Sequence, residues 1–303
     1  MESVNLLVTI DKNYLQPLCV MLKSYEQTHT GVKTNVYVAH SSLTEADFTL
    51  LNGCISDTQI CIHSIKITEK RFNTMPVLER LGAESFYRIL AFSYLPKEIK
   101  RCLYLDPDVL IRRSLLAMYY TDLTDKYFAA ASHIYGFNNF FNLSRLGIWS
   151  KSRYINSGIM LMNLEEIRKD FTVEVVFSVL KKKARILFMG DQDLCNILFG
   201  KKMVLLDEFL YNLDERTLKH NRKIFNLKDV ENKTVIIHYN GKNKPWLNGY
   251  KGDLDRFYPD VEKASDVVKF NALKRFIAII RILFLIKNKD QKKEIHNEKI
   301  ISY

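Results

Sequence analysis

Two carboxylates separated by one proline, Asp106-Pro107-Asp108, follow the apolar run 102–105 of a 303-residue chain. A strand that ends in two hard oxygen donors offers a site for a divalent cation, Mn²⁺ or Mg²⁺, bridging a diphosphate. Extended backbone through the triplet would put residues i and i+2 on one face, so that both acids address one ion. Pro107, lacking an amide hydrogen, suits a strand end or edge. An ordinary acidic turn has the same pattern. A second run, His238-Tyr239-Asn240-Gly241-Lys242-Asn243-Lys244-Pro245-Trp246, opens where another β-branched segment ends. There an imidazole can complete an oxygen-dominated shell, Gly241 permits close backbone approach to phosphate, and Lys244 brings a positive charge. A basic surface turn packed on Trp246 is the competing reading. The polar triplets Asn156-Ser157-Gly158 and Asp191-Gln192-Asp193 interrupt apolar surroundings. Polar groups beside a core need partners, which sugar hydroxyls would supply, although for Asp191 an N-cap role competes.

The elements that must position these residues alternate strand and helix in the first half of the chain, the pattern of an α/β fold on a mostly parallel sheet. Strands are expected over 5–10, 34–39, 59–65 and 102–105, and helices over 15–25, 44–51 and 84–95, the last stopped by Pro96. Beyond residue 127 the pattern becomes a mixed sheet, with strands over 128–132, 155–161, 203–206 and 235–239 and helices over 164–181 and 191–199. From 267 to 286, Phe270, Leu273, Phe276, Ile277 and Ile280 recur at three- and four-residue intervals among lysines and arginines. This reads as a basic amphipathic helix able to lie on an anionic membrane surface, with docking on the protein's own core as the alternative.

Hydrophobic residues make up 47% of the sequence and charged residues 26%, enough for one sizeable core. No run of roughly 18 apolar residues and no signal-peptide pattern is evident. The net charge of +11 favours an anionic partner: nucleic acid, acidic lipid or a nucleotide-linked substrate. Most aromatics fall in apolar strands and helices, which argues against nucleic acid. Cys19, Cys54, Cys61, Cys102 and Cys195 lack C-x-x-C spacing and read as core thiols of a reducing compartment, without a disulfide frame or zinc site. The absence of any G-x-G-x-x-G or P-loop counts against a dinucleotide enzyme or a P-loop nucleotidase.

Taken in order, these motifs resemble glycosyltransferase family 8, the retaining UDP-sugar transferases that include lipooligosaccharide galactosyltransferases and general-stress-protein-A-like relatives. The likeness runs from Asn5 to Trp246 and rests on Asp11-Lys12-Asn13-Tyr14, Phe86-Tyr87-Arg88, the D-x-D strand ending at Asp108, Asn156-Ser157-Gly158, Asp191-Gln192-Asp193 and H-x-x-G-x-x-K-P-W. It implies a GT-A type single domain with a Rossmann-like mixed, mostly parallel sheet over 1–260. The nucleotide-sugar half would take 1–110, the acceptor half 111–260, and a basic tail 261–303. It also implies transfer of galactose or glucose from a UDP-sugar to a glycan or glycolipid acceptor, and the basic tail would place that reaction on the cytoplasmic face of a membrane. By resemblance, Thr9, Asp11 and Asn13 contact uracil or ribose, Tyr14 stacks on the base, and Arg88 lies near the donor. Asp106, Asp108 and His238 hold Mn²⁺, or Mg²⁺ in its place, Gly241 and Lys244 meet the diphosphate, and Asn156, Asp191 and Gln192 surround the transferred sugar.

Gln192 matches the residue nearest the reactive face of the sugar. An amide oxygen is a poor nucleophile, so front-face substitution is favoured over a covalent intermediate. Pro107 occupies a position where Thr or Ala is common in the family, and the segment 132–152, with His133 and Tyr135, has no close counterpart in the acceptor region of those galactosyltransferases. A catalytically silent nucleotide-sugar binder and a self-glycosylating relative are the alternatives within the family.

Overall fold

The computed structural model describes residues 3–68, 82–133, 136–148, 153–247 and 250–265. Its first third is built from β1 (Val4–Thr9), helix Leu15–Thr28, β2 (Thr34–His40), helix Glu45–Gly53, β3 (Ile60–Lys66) and β4 (Arg101–Leu105). β1 pairs in parallel with both β2 and β4, and β2 with β3. A short β5 (Val109–Ile111) then leaves this sheet. β6 (Phe128–Ala131), β7 (Ile159–Asn163) and β8 (Met203–Leu206) complete it, and β9 (Ile236–His238) returns to pair antiparallel with β5. The large sheet has the order β3-β2-β1-β4-β7-β6-β8. Its pairings are parallel except where β7 meets β4 and β6, giving a mixed, mostly parallel α/β architecture.

Both faces of the sheet are covered, which is why its central strands read as apolar runs rather than as alternating ones. Leu6, Val8, Leu103 and Leu105 pack with Leu18 and Leu22 on one face. Leu7, Tyr104 and Met160 pack with Phe86 and Leu90 on the other. Each fully buried Leu or Met contributes roughly 1.5–3 kcal/mol, so the central strands are firmly anchored. The reversed β7 matters for function. Its beginning lies beside the end of β4, with Leu105 opposite Ile159, and Asp106 donates its amide hydrogen to Gly158 O at 2.7 Å. Residues that precede β7 in sequence are thereby delivered to the same rim as residues that follow β1 and β4.

Several expected boundaries move for local physical reasons. The helix expected over 84–95 is three short pieces, Ala83–Tyr87, a 3₁₀ turn Arg88–Leu90, and Ala91–Tyr94. The turn tightens where the Arg88 guanidinium folds back, its Nε donating to Ser85 O at 2.8 Å. Leu95 is extended (ψ 146°) before Pro96, as proline requires of its predecessor. The 164–181 stretch breaks into helices Leu164–Asp170 and Val173–Lys183, with Thr172 extended as N-cap of the second. Thr44, expected within a helix, is instead the N-cap of Glu45–Gly53 in a capping box with Asp47. The strand expected over 155–161 begins only at Ile159.

The cysteine reading needs correction. Cys19 and Cys54 form a disulfide, with Cα atoms 5.6 Å apart across 35 residues of sequence. Helices Leu15–Thr28 and Glu45–Gly53 pack together against one face of the sheet, and that tertiary proximity leaves no mark in cysteine spacing. Cys61 is exposed; Cys102 and Cys195 are buried free thiols. Among the described residues no helix is long and apolar enough to cross a membrane. The basic amphipathic stretch expected over 267–286 lies outside the described residues.

Candidate active site at the carboxyl ends of β1 and β4

Asp106 closes β4 and Asp108 precedes β5, so the D-P-D triplet is a turn between two sheets and not the continued strand that would align i and i+2. The cause is pairing. Asp108 O accepts from Tyr239 N at 3.0 Å, and Val109 stands opposite His238, which draws the chain out of the first sheet. The turn still brings both acids to one point. Ligating atoms of Asp106, Asp108 and His238 all lie within 4.8 Å of one another, with His238 Nε2 3.6 Å from Asp106 and 3.3 Å from Asp108 Oδ1. His238 is 2% exposed and Asp108 8%.

Burial would push the Asp108 carboxyl up, but His238 and the Lys244 ammonium hold it well below the usual carboxylate range. Burial would likewise lower the His238 imidazole, yet Asp108 and Asp106 outweigh it and raise the group above its ordinary value. Asp108 Oδ1 is buried with no hydrogen-bond partner although it points at this cluster. An unsatisfied buried carboxylate oxygen is costly, and with a second carboxylate and an imidazole nitrogen converging on it the donor set fits a divalent cation. Gly158 makes the arrangement possible. A methyl group there would collide with His238 Cε1 and Asp106 Oδ2.

Thr9, Asp11, Tyr14, Arg88, Asp106 and Asp108 line a single cavity of about 310 Å³. Burial, then the nearby Asp108 and Asp106, push the Tyr14 hydroxyl up to about 12, so it stays protonated; its ring meets Trp246 edge-on at 6.3 Å. Asn13 is not in the cavity lining. Its backbone N and Nδ2 donate to the two oxygens of Asp11 at 2.8 and 3.1 Å, fixing that carboxylate at the start of a 3₁₀ turn. Arg88 spends its fork internally, meeting Asp106 at 3.0 Å, Asp191 at 3.3 Å and Ser157 O at 2.9 Å. Burial would lower its guanidinium, but those two carboxylates raise it, so it remains charged.

Of the D-Q-D triplet, two members face the site. Asp191 is the first residue of helix Asp191–Phe199, whose N-cap is Gly190 (φ 58°), and it accepts from Ser157 Oγ at 2.9 Å. Burial raises the Asp191 carboxyl more than Arg88 and Ser157 lower it. Gln192 Oε1 accepts from Asn156 Nδ2 at 3.1 Å. Asp193 points inward to Arg145 and Tyr154 and is structural. Lys244 is bound to Asp108 and to Tyr239 O, with its ammonium 5.6 Å from the Trp246 ring, and is 8% exposed. Gly241 takes φ 82° with open space around it.

Three neighbours of the site had no role of their own in the sequence reading. Tyr104 donates to Asp106 Oδ1 at 2.6 Å, meets Thr9 Oγ1 at 3.1 Å and lies under the Arg88 guanidinium. Its position two residues before Asp106 on one strand was the available signal. Gly158 was visible only as part of the Asn156-Ser157-Gly158 triplet and Asn212 not at all, because the groups they meet, His238 for both and Asp106 for Gly158, are remote in sequence. A larger cavity, about 770 Å³, lies at the opposite end of the sheet beside Asn5, Asn35 and Arg101. Arg101 and Asn5 are already bonded to Tyr119 there, and among the described residues no cluster of cation ligands lies beside it.

A trio able to hold a cation at the rim of a mixed, mostly parallel sheet, beside a cavity bounded by the end of β1, fits a glycosyltransferase of the GT-A type. Residues 5–249 match the family model of glycosyl transferase family 8, and the chain belongs to that family. It is 24% identical over 250 residues to lipopolysaccharide 1,2-glucosyltransferase of Escherichia coli, covering 81% of this chain and 74% of the relative. A glycosyltransferase of Haemophilus influenzae is 25% identical over 303 residues, covering 97% and 88%. Among solved structures, galactosyltransferase LgtC in complex with donor and acceptor sugar analogs superposes with TM-score 0.72 at 21% identity, covering 86% of this chain and 96% of that one.

Proposed function

We propose that the protein is a retaining hexosyltransferase that moves galactose or glucose from a UDP-sugar to a glycan or glycolipid acceptor in cell-surface polysaccharide, lipopolysaccharide or glycoprotein synthesis. The observation that carries this reading is the convergence of Asp106, Asp108 and His238 beside the cavity lined by Thr9, Asp11, Tyr14 and Arg88. Asp106, Asp108 and His238 would hold Mn²⁺, or Mg²⁺ in its place. The bound cation would neutralise charge developing on the diphosphate as the sugar leaves.

The chain's own residues supply the rest. Tyr14, Thr9 and Asp11 bind the nucleoside end, with Asn13 holding Asp11 in place. Lys244 exchanges its bond to Asp108 for the departing phosphate oxygen once Asp108 is engaged elsewhere, bringing positive charge to the leaving group. Arg88 keeps Asp106 and Asp191 a fixed distance apart and shares its positive charge between them. Asn156, Asp191 and Gln192 line the transferred sugar, and Gln192 presents its amide dipole to the oxocarbenium-like centre. Front-face attack with departure on the same side retains the anomeric configuration.

The names of the relatives, a lipopolysaccharide glucosyltransferase and a galactosyltransferase, support a glycan acceptor and either hexose. The amphipathic sequence over 267–286 supports attachment to an anionic cytoplasmic membrane face; removing 266–303 is expected to raise the soluble fraction without lowering donor hydrolysis, whereas loss of the fold would place the segment in the core. The reaction itself is tested by UDP release from a panel of nucleotide sugars with and without Mn²⁺. Cation-dependent release from one UDP-hexose supports the reading and names the donor. Release from none, together with no calorimetric binding of UDP, overturns it.

A further inference from the structure

Asn212 is completely buried, belongs to no catalytic motif, and sits between the cation ligands and the sugar-side amides. Its backbone is fixed from two directions. Asn212 O accepts from His133 Nε2, and the next residue, Leu213, pairs with β9, donating to Ile236 O and accepting from His238 N at 2.8 Å. Its side chain contacts His238 Nδ1 at 2.8 Å and Asn156 at 3.0 Å.

The direction of every bond in this chain of amides follows from one backbone group. Gly158 N–H can only donate, and it points at the Asn156 side chain at 3.0 Å, so the atom it meets is Asn156 Oδ1. The Asn212 atom facing that same oxygen must then be its donor, Nδ2, and the Asn212 atom facing His238 is Oδ1. An amide oxygen only accepts, so His238 Nδ1 carries a hydrogen and Nε2 is the nitrogen free to ligate, on the side where Asp106 and Asp108 lie. At the other end Asn156 Nδ2 donates to Gln192 Oε1, which fixes how the Gln192 amide is turned.

The structure assigns Asn212 as a positioning residue that sets the ligating nitrogen of His238 and, as second donor beside Gly158 N–H, holds the Asn156 amide that turns Gln192, so that one buried amide joins the cation side to the sugar side of the centre. The assignment rests on reading Asp106, Asp108 and His238 as the cation site. Asn212 touches neither the cation position nor the sugar directly; it acts through its two neighbours.

Two substitutions separate its two bonds. Asn212→Ala removes both. Asn212→Asp keeps an oxygen for His238 Nδ1–H but cannot donate to Asn156. Calorimetric titration of the full chain with Mn²⁺ alone, alongside kcat and KM for Mn²⁺-dependent UDP release, reads them out. Asn212→Ala is expected to weaken Mn²⁺ binding about 10- to 100-fold, the usual effect of losing the partner that orients a ligating histidine. Asn212→Asp is expected to bind Mn²⁺ within about 3-fold of wild type while kcat falls by roughly 10-fold at near-constant KM. A merely structural role would lower the melting temperature of both variants and leave Mn²⁺ affinity of the folded protein untouched, which overturns the assignment. So does an Asn212→Asp chain with wild-type kcat, a result that decides the matter even if Asn212→Ala does not fold. A wild-type chain that takes up no Mn²⁺ removes the cation site and the relay with it; wild-type uptake matched by Asn212→Ala removes the relay alone.

Discussion

The two sides of the centre are held by different means. At the ends of β1 and β4, Thr9 closes one buried parallel strand, Asp11 lies two residues beyond it and Asp106 follows the other, so the sheet itself aims them. Around His238 the short β5–β9 pair contributes only three residues from each strand, and side-chain amides and an ion pair do the aiming. A strand-end site tolerates loss of a neighbouring side chain because its backbone stays paired. A site assembled from buried polar side chains does not, since each deleted partner leaves another group unsatisfied.

The largest expected effect separates the two aspartates. Asp106→Asn and Asp108→Asn should each lower Mn²⁺-dependent transfer by roughly 10³-fold, about 4 kcal/mol of transition-state stabilisation. Their stabilities should differ. Asp106 shares Arg88 with Asp191, so its loss leaves the guanidinium paired, whereas Asp108 is the carboxylate partner of a buried Lys244. Chemical denaturation should therefore show Asp108→Asn less stable by about 3 kcal/mol, the scale of breaking one half of a buried pair, and Asp106→Asn by less than about 1 kcal/mol. Equal losses would erase the distinction between the two sides.

Gly158→Ala comes next. Its methyl group would press on both Asp106 and His238, which join the two sides, and calorimetry should show Mn²⁺ affinity reduced about 100-fold with the overall fold retained by circular dichroism. The smallest effect belongs to Asn13→Ala. Because Asn13 bonds to Asp11 and does not line the cavity, KM for the UDP-sugar should rise no more than about 5-fold, the worth of roughly one hydrogen bond, with kcat unchanged. A rise beyond about 100-fold would restore Asn13 to direct donor contact, as the resemblance implied.

The same contrast explains what the sequence made legible. β1, β2, β3 and β4 could be placed within one residue because their apolar and β-branched residues are local signals, and Asp106 and Asp108 were visible as acids ending an apolar run. Helix Asp191–Phe199 was equally plain from its periodicity. β5, three residues long, offers no period to detect, and it turned the expected extended triplet into a turn. Lys244 was expected on phosphate; its bond to Asp108 depends on β5 meeting β9, which no local pattern announces. The Cys19–Cys54 bridge and the role of Asn212 arise from packing between segments 35 and 26 residues apart, respectively. In each case the sequence shows the residue and conceals the partner.

The central claim is that Asp106, Asp108 and His238 form one cation site through which a nucleoside diphosphate is held. Calorimetric titration of UDP into the full chain, with and without Mn²⁺, and again with Asp106→Asn, tests it most directly. Binding strengthened at least about 10-fold by Mn²⁺ in the wild type, with no strengthening in Asp106→Asn, is the predicted result. UDP binding that is indifferent to Mn²⁺, or enhanced equally in both proteins, would contradict it.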